Sequence, residues 1–188
     1  MKIAIYDAAE KSPVGLSWAL GARLFKLLGY FKHVIPAHNW SDALRDAIAL
    51  SVKTPVTEIQ FWGHGSPGGV YVAGEPLEAH ATHRLLLTEL QHVLAPDAFV
   101  WFRTCASFAG ASGRTFAVAV VSKMKCRVAG STFNIGFPWH SGQHSLRPGE
   151  TPYWGASEGL NLKNEPLGSR RSAPNTIVFN RMSLPESW

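Results

Sequence analysis

The chain of 188 residues carries 18 Lys and Arg against 13 Asp and Glu, a net charge of +5. This length is most simply one domain, residues 1–188, with a core that needs no disulfides. No stretch approaches the roughly 20 apolar residues that span a bilayer, and the basic residues form no aromatic-interleaved stripe. We therefore expect neither a membrane nor a nucleic acid as partner.

The two cysteines, Cys105 and Cys126, are too few for a disulfide framework. A reducing compartment is the simpler expectation for such a chain. The segment Met1–Asp7 has charged residues within its apolar run, and this pattern predicts a first strand and not a signal peptide. We expect a cytoplasmic protein, or one exported as an effector without a cleavable signal.

Strand and helix patterns alternate through the first two thirds of the chain. Short apolar runs bounded by turn residues predict strands, whereas apolar residues spaced three or four apart predict helices. The predicted strands are Lys2–Tyr6, Phe31–Ile35, Glu58–Gly63, Ala98–Arg103 and Cys126–Ala129, with a small hairpin over 68–74.

The predicted helices lie between these strands. The first begins at Pro13, ends at Gly29 and has its apolar repeat at Leu16, Leu20, Leu24, Leu27 and Leu28. The others begin at Ser41 or Asp42, at Thr82, and near Gly110. Repeated strand–helix–strand units predict an α/β fold, a three-layer sandwich with a mostly parallel central sheet and helices on both faces.

The last third of the chain has a different pattern. Residues 131–175 are rich in Gly, Pro, Ser and aromatics and lack helical periodicity, so we predict a long aromatic loop region with some β-structure. A strand is predicted at Thr151–Ala156. A last strand is predicted at Thr176–Asn180, at an edge.

Two predicted strands end on reactive side chains. Phe61-Trp-Gly-His64-Gly65 closes the third strand, and Val100-Trp-Phe-Arg-Thr-Cys105 closes the fourth. Ligands and chemistry in open α/β sheets lie at the carboxyl ends of the strands. If these strands are neighbours, His64 and Cys105 emerge side by side and can form a nucleophile–base dyad. The alternative is a turn histidine and a buried, inert cysteine.

Asp7 is a third candidate for this edge. It ends the first strand, which in the usual order of such sheets lies beside the third. A carboxylate at that position can orient His64 and complete a triad. The equally weighted alternative is that Asp7 caps the turn that follows the first strand.

This pair of motifs resembles the cysteine peptidases of the caspase, legumain and gingipain type. In those enzymes one hydrophobic strand is followed by His-Gly, and a later strand is followed by a short polar segment and Cys. The segment Ile59–Gly69 also resembles bacterial caspase-like domains that contain a His-Gly-Ser-Pro-Gly sequence. The resemblance covers Met1–Ser131. It implies a caspase-like fold and a cysteine endopeptidase that acts on peptides or proteins and needs no cofactor.

The resemblance also implies roles for individual residues. His64 would act as general base and acid, Cys105 as the attacking thiolate, and the backbone N–H groups of Gly65 and Cys105 as the oxyanion hole. The aromatic region after the fifth strand would line the substrate pocket. The candidate substrate contacts are Ser107, Ser131, Trp139 and Trp154, the two tryptophans having ordinary packing as the alternative.

Other chemistries have weaker support. His140 and His144, like His80 and His83, have helical spacing, but no paired Cys ligands accompany them, so we predict no metal site. The glycine-rich turns lack the phosphate-loop ending. The main alternative to a peptidase is an inactive or repurposed caspase-like module for binding or toxin association. The sequence leaves the oligomeric state open.

Overall fold

The computed structural model describes all 188 residues, with eleven strands and four helices. The strands are β1 (Lys2–Asp7), β2 (His33–Ala37), β3 (Val56–Trp62), β4 (His64–Ser66), β5 (Gly69–Val72), β6 (Glu75–Pro76), β7 (Leu94–Arg103), β8 (Arg127–Ser131), β9 (Trp139–His140), β10 (Gln143–Leu146) and β11 (Ile177–Val178). The helices are α1 (Pro13–Leu27), α2 (Trp40–Leu50), α3 (Arg84–Val93) and α4 (Gly110–Met124). None of these helices is long and apolar enough to cross a membrane.

The central sheet has six strands in the order β10-β8-β7-β3-β1-β2. Five strands are parallel, and β10 runs antiparallel to β8 at one edge. The predicted α/β class with a mostly parallel sheet is confirmed. The hairpin strands β4, β5 and β6 form a separate small sheet, and β9 pairs with β11 in another.

Successive side chains of each strand point to opposite faces of the central sheet, and each face packs against a different layer. On one face, Ile59, Phe61, Val100 and Phe102 join a core of 31 buried residues that includes α2, α3 and α4. The other face is covered by α1 over one half and by the C-terminal segment over the other. The molecule is therefore the three-layer sandwich that the sequence predicts.

Helix α1 has the predicted limits but turns its predicted apolar repeat outward. Ser12 caps its first turn by accepting a hydrogen bond from the N–H of Val14 at 3.3 Å. The side towards the sheet contains the buried Gly15 and Ala22, and a methyl group on Gly21 would lie 2.8 Å from the Trp62 ring. Small residues permit this close approach, and the leucines are left on the solvent side.

Several predicted limits differ from the structure. Helix α2 begins at Trp40 with Asn39 as its cap, instead of at Ser41 or Asp42. Thr151–Ala156 contains no strand, and the sixth strand of the sheet is instead β10. The four residues of β10 are Gln-His-Ser-Leu, and all are buried although three are polar. The sequence therefore has no polar–apolar alternation that could reveal this strand.

Candidate active site

Two neighbouring strands of the central sheet end shortly before His64 and Cys105. Strands β3 and β7 are parallel neighbours, and Trp62 pairs with Arg103 at their carboxyl ends. His64 and Cys105 each lie two residues beyond this pair. The strand ends are therefore adjacent, as the sequence predicts.

Gly65 brings the two chain segments into direct contact. A methyl group on Gly65 would lie 2.5 Å from the carbonyl oxygen of Cys105 and 2.7 Å from the side chain of Thr104. Only a residue without Cβ permits this approach. The hairpin that begins at His64 is thereby held against the loop that contains Cys105.

His64 is paired with a carboxylate that the sequence interpretation missed. Its Nε2 lies 2.8 Å from Oε2 of Glu10, in the loop between β1 and α1. The other Glu10 oxygen accepts a hydrogen bond from the N–H of Ser12 at 2.8 Å, and Trp18 meets the His64 ring edge-on at 5.1 Å. The hydrogen bond with His64, assisted by those with Ser12, lowers the pKa of Glu10 to about 2.

Asp7 has other partners. Its buried carboxylate accepts hydrogen bonds from the N–H of Ala9 at 3.0 Å and from the N–H of Ala73 at 3.2 Å. This is the turn-capping role that the sequence offered as the alternative. Tyr6 pairs with Trp62, so Asp7 is level with Gly63, one residue before His64. Because side chains alternate between the two faces of a sheet, Asp7 and His64 lie on opposite faces.

Cys105 is half-buried, and its thiol lies 3.9 Å from the carbonyl oxygen of Ile135. Burial raises the pKa of the thiol, against a smaller lowering by the hydrogen bond with Ile135. The backbone N–H of Cys105 donates to no protein acceptor. Cys126 lies in the core, where burial raises the pKa of its thiol to about 12.

The loop after Cys105 is fixed to the segment that follows β8. Ala106 donates its N–H to the carbonyl of Phe133 at 2.8 Å, and Phe108 donates to that of Ser131 at 2.9 Å. Since Phe133 and Ile135 belong to one short stretch, these bonds place the aromatic region beside the thiol. The aromatic region after β8 therefore borders the Cys105 thiol.

Three of the four candidate substrate contacts are buried. Ser107 and Ser131 are fully inaccessible, and Trp154 is stacked between Phe108 and His144 with its indole N–H donated to the carbonyl of Phe108. Burial leaves these three side chains inaccessible to a substrate in this structure. Trp139 is half-buried, with the Arg171 guanidinium 5.9 Å from its ring centre.

Two exposed aromatic side chains near Trp139 were missed in the sequence. Phe137 is 82% exposed, and its ring lies 4.8 Å from that of Phe179. Phe137 belongs to the same loop as Ile135, which contacts the thiol. The signal in the sequence was the density of aromatics in this region, which did not show which of them reach the surface.

Two clefts of about 530 and 630 Å³ lie at the opposite edge of the sheet, and neither includes His64 or Cys105. No group of three or more His, Cys, Asp or Glu residues is arranged to hold a metal ion. His144, one of the histidines with helical spacing, is bound instead to Glu158 at 2.5 Å.

Comparison with models of known protein families finds no match, and neither does comparison with curated proteins. Among solved structures, a matching chain is a secreted C11 cysteine protease from Bacteroides thetaiotaomicron in complex with an irreversible peptide inhibitor. The match has 11% identity and a TM-score of 0.42, and it covers 71% of this chain and 49% of that chain. This chain thus spans about half the length of that protease.

Proposed function

We propose that this protein is a cysteine peptidase in which Cys105 attacks a peptide carbonyl and His64 transfers the protons. The observation that carries the proposal is the β3–β7 register, which sets both side chains two residues beyond one strand pair. The contact between Gly65 and the carbonyl of Cys105 supports it, because the two segments cannot separate without losing that packing.

Glu10 defines which nitrogen of His64 acts as the base. The carboxylate accepts a hydrogen bond from Nε2–H, so the ring proton resides on Nε2 and the lone pair is on Nδ1. Nδ1 then takes the thiol proton as the sulfur bonds to the substrate carbon. The imidazolium returns that proton to the leaving amine as the C–N bond breaks, and a water molecule hydrolyses the resulting thioester.

The raised pKa of the Cys105 thiol determines the order of these steps. A thiol with a raised pKa is protonated at neutral pH, so the resting site holds a neutral Cys105 and not a thiolate–imidazolium pair. His64 therefore acts as a general base during the attack. We expect the rate of peptide hydrolysis to rise with pH through neutrality.

The oxyanion that forms on the substrate needs hydrogen-bond donors. The unpaired N–H of Cys105 is one, and Gly65 lies close enough for its N–H to be the second. Two backbone donors of this kind stabilise a tetrahedral intermediate without reorganisation at the moment of reaction. The substrate chain would pass over the surface formed by Phe137, Trp139 and Phe179.

A binding module that does not catalyse remains the second candidate. The observations that favour it are the raised pKa of the Cys105 thiol and the missing hydrogen bond between His64 and Cys105. This candidate predicts a stable complex with a protein partner that survives the substitution Cys105→Ala. It also predicts that no peptide is cleaved.

The test is turnover of a fluorogenic peptide library by four proteins: wild type, Cys105→Ala, His64→Ala and Cys126→Ala. We expect kcat/KM to fall by about a thousandfold or more in the first two variants, as for other paired catalytic residues. Cys126→Ala is the matched control, since it removes the other thiol without touching the site, and it should retain wild-type turnover. Absence of cleavage by wild type, or equal loss in Cys126→Ala, contradicts the proposal.

A further inference from the structure

The outer face of α1 is covered with large apolar side chains. Six of them form what we term the leucine stripe, each between 50% and 83% exposed: Val14, Leu16, Leu20, Leu24, Leu27 and Leu28. A surface helix of a globular protein normally places polar residues on its outer side. Packing within this chain does not account for the stripe, because the opposite side of α1 makes the contacts with the sheet.

The leucine stripe is continuous along the helix. Leu16, Leu20 and Leu24 are spaced four residues apart and Leu27 follows three later, so each side chain adjoins the next one turn on. The 15 residues of α1 extend about 22 Å, so this is a long apolar strip and not a set of isolated residues. Continuous exposed apolar surface of this extent is typical of an interaction site.

The border of the stripe is basic. Helix α1 contains no Asp or Glu, and its charged residues, Arg23 and Lys26, are both exposed. Lys32 follows closely, and burial together with the charges of Lys26 and Lys32 lowers the pKa of the neighbouring His33. The occupant of the stripe must therefore be apolar and anionic at once.

A second copy of this chain does not meet that requirement. Two α1 helices packed together would add their basic residues to one interface with no carboxylate on either helix to neutralise them. A protein partner is also less suitable, because the stripe lacks the Trp and Tyr side chains that dominate binding energy at protein interfaces, where Leu is under-represented.

An anionic lipid surface meets both conditions. Interfacial helices insert apolar side chains at the boundary between headgroups and acyl chains, with Lys and Arg beside the negative headgroups. We propose that α1 docks this protein onto an anionic membrane surface through the leucine stripe, with Arg23, Lys26 and Lys32 at headgroup level. The sequence-based expectation of no membrane partner rests on the lack of a membrane-spanning segment, which an interfacial helix does not need. The proposal does not depend on peptidase activity.

The test is flotation with vesicles of phosphatidylcholine containing about 30% phosphatidylserine, beside vesicles of phosphatidylcholine alone. We expect wild type to bind the anionic vesicles preferentially. The double variant Leu20→Gln/Leu24→Gln should bind more weakly by on the order of a hundredfold, from the lost apolar insertion. Arg23→Gln/Lys26→Gln should bind about thirtyfold more weakly, about fivefold for each cation.

The matched control is Leu85→Gln, which replaces a leucine that is 74% exposed on α3, in the layer across the sheet. It should bind the vesicles as wild type does, and thermal unfolding should show all variants folded. Failure of wild type to bind anionic vesicles overturns the proposal, as does equal loss in Leu85→Gln. A dimer in light scattering that Leu20→Gln/Leu24→Gln converts to a monomer also overturns it, by assigning the stripe to a second copy. Binding of an acidic amphipathic peptide without vesicle binding assigns it to a protein partner.

Discussion

Asp7 and Glu10 are three residues apart but serve different partners. Asp7 ends a strand, so its register decides where it points, and that direction is away from His64. Glu10 lies in the loop before α1, where no sequence periodicity fixes the direction of a side chain. The loop is set by the Ser12 N–H bond and by the close packing of Gly15 against the Glu10 carbonyl.

The role of Glu10 can be tested by substitution. In Glu10→Gln the amide oxygen still accepts from His64 Nε2–H, but the negative charge that stabilises the imidazolium is lost. We expect kcat/KM for peptide hydrolysis to fall about tenfold to a hundredfold, and to fall further in Glu10→Ala, with little change in KM. The exposed neighbour Lys11→Gln is the control. Unchanged kcat in Glu10→Ala would contradict the assigned role.

Gly65 provides a second test at a single position. In Gly65→Ala the new methyl group would meet backbone and Thr104 atoms at 2.5–2.7 Å, so the ends of β3 and β7 must move apart. A misplacement of about 1 Å is enough to lower activity by about a hundredfold. Gly136→Ala is the control, since a methyl group there meets nothing within 4 Å. Equal turnover in the two variants would show that the contact is not needed.

The strands that carry the site were predictable, whereas the surfaces around them were not. Short apolar runs revealed β3 and β7, and the α/β pattern implied that their ends share an edge. The apolar repeat of α1 predicted the helix but not its orientation, because Gly15 and Ala22 define the packed side by their small size. For Trp154 the sequence offered substrate contact or ordinary packing, and stacking on Phe108 makes it part of the core.

The C-terminal segment is fastened across the sheet by a buried arginine. Arg103 donates hydrogen bonds to the carbonyl oxygens of Phe179 and Arg181, the latter at 3.0 Å. Its guanidinium lies 4.5 Å from the ring centre of Trp101 and 5.1 Å from that of Trp62. No carboxylate forms a salt bridge with this cation, and burial lowers its pKa to about 10 against smaller raising effects of Tyr30 and Glu58. Arg103 therefore packs on two tryptophan rings of the sheet and binds the C-terminal segment through its carbonyl oxygens.

Replacing Arg103 should release that segment. In Arg103→Met the carbonyl oxygens of residues 179 and 181 lose their donor, and we expect the free energy of unfolding to fall by about 3 kcal/mol. Hydrogen exchange should accelerate across residues 177–188. The exposed Arg181→Met, in the same segment, should change neither quantity appreciably. Undiminished protection of the segment in Arg103→Met would contradict this role.

The stability of the whole molecule should depend on pH through His140. Burial, and then the charge of Arg103, lowers the pKa of His140 to about 3 from an ordinary 6.5. Below about pH 6.5 the unfolded chain binds a proton at this residue and the folded chain does not. The free energy of unfolding therefore falls as the pH falls, by at most about 1.4 kcal/mol per pH unit.

Urea denaturation at several pH values between about 6.5 and 4.5 measures this dependence. The lowered pKa values of Glu10 and Glu158 add a further loss of stability only at lower pH, where carboxylates titrate. His140→Gln should flatten the pH dependence within this window, whereas the exposed His38→Gln should leave it as in wild type. An identical slope in His140→Gln would exclude His140 as its source.

The most direct test of the pairing of Cys105 with His64 is labelling by an electrophilic peptide ketone, followed by mass spectrometry of the intact protein and its tryptic fragments. We predict one adduct on Cys105, formed at least a hundredfold more slowly in His64→Ala, because His64 is the base that takes the thiol proton as the sulfur attacks. Cys126, buried and with a thiol pKa of about 12, should remain unlabelled. Equal labelling of both cysteines, or labelling of Cys105 that is unaffected by His64→Ala, would contradict the pairing of Cys105 with His64.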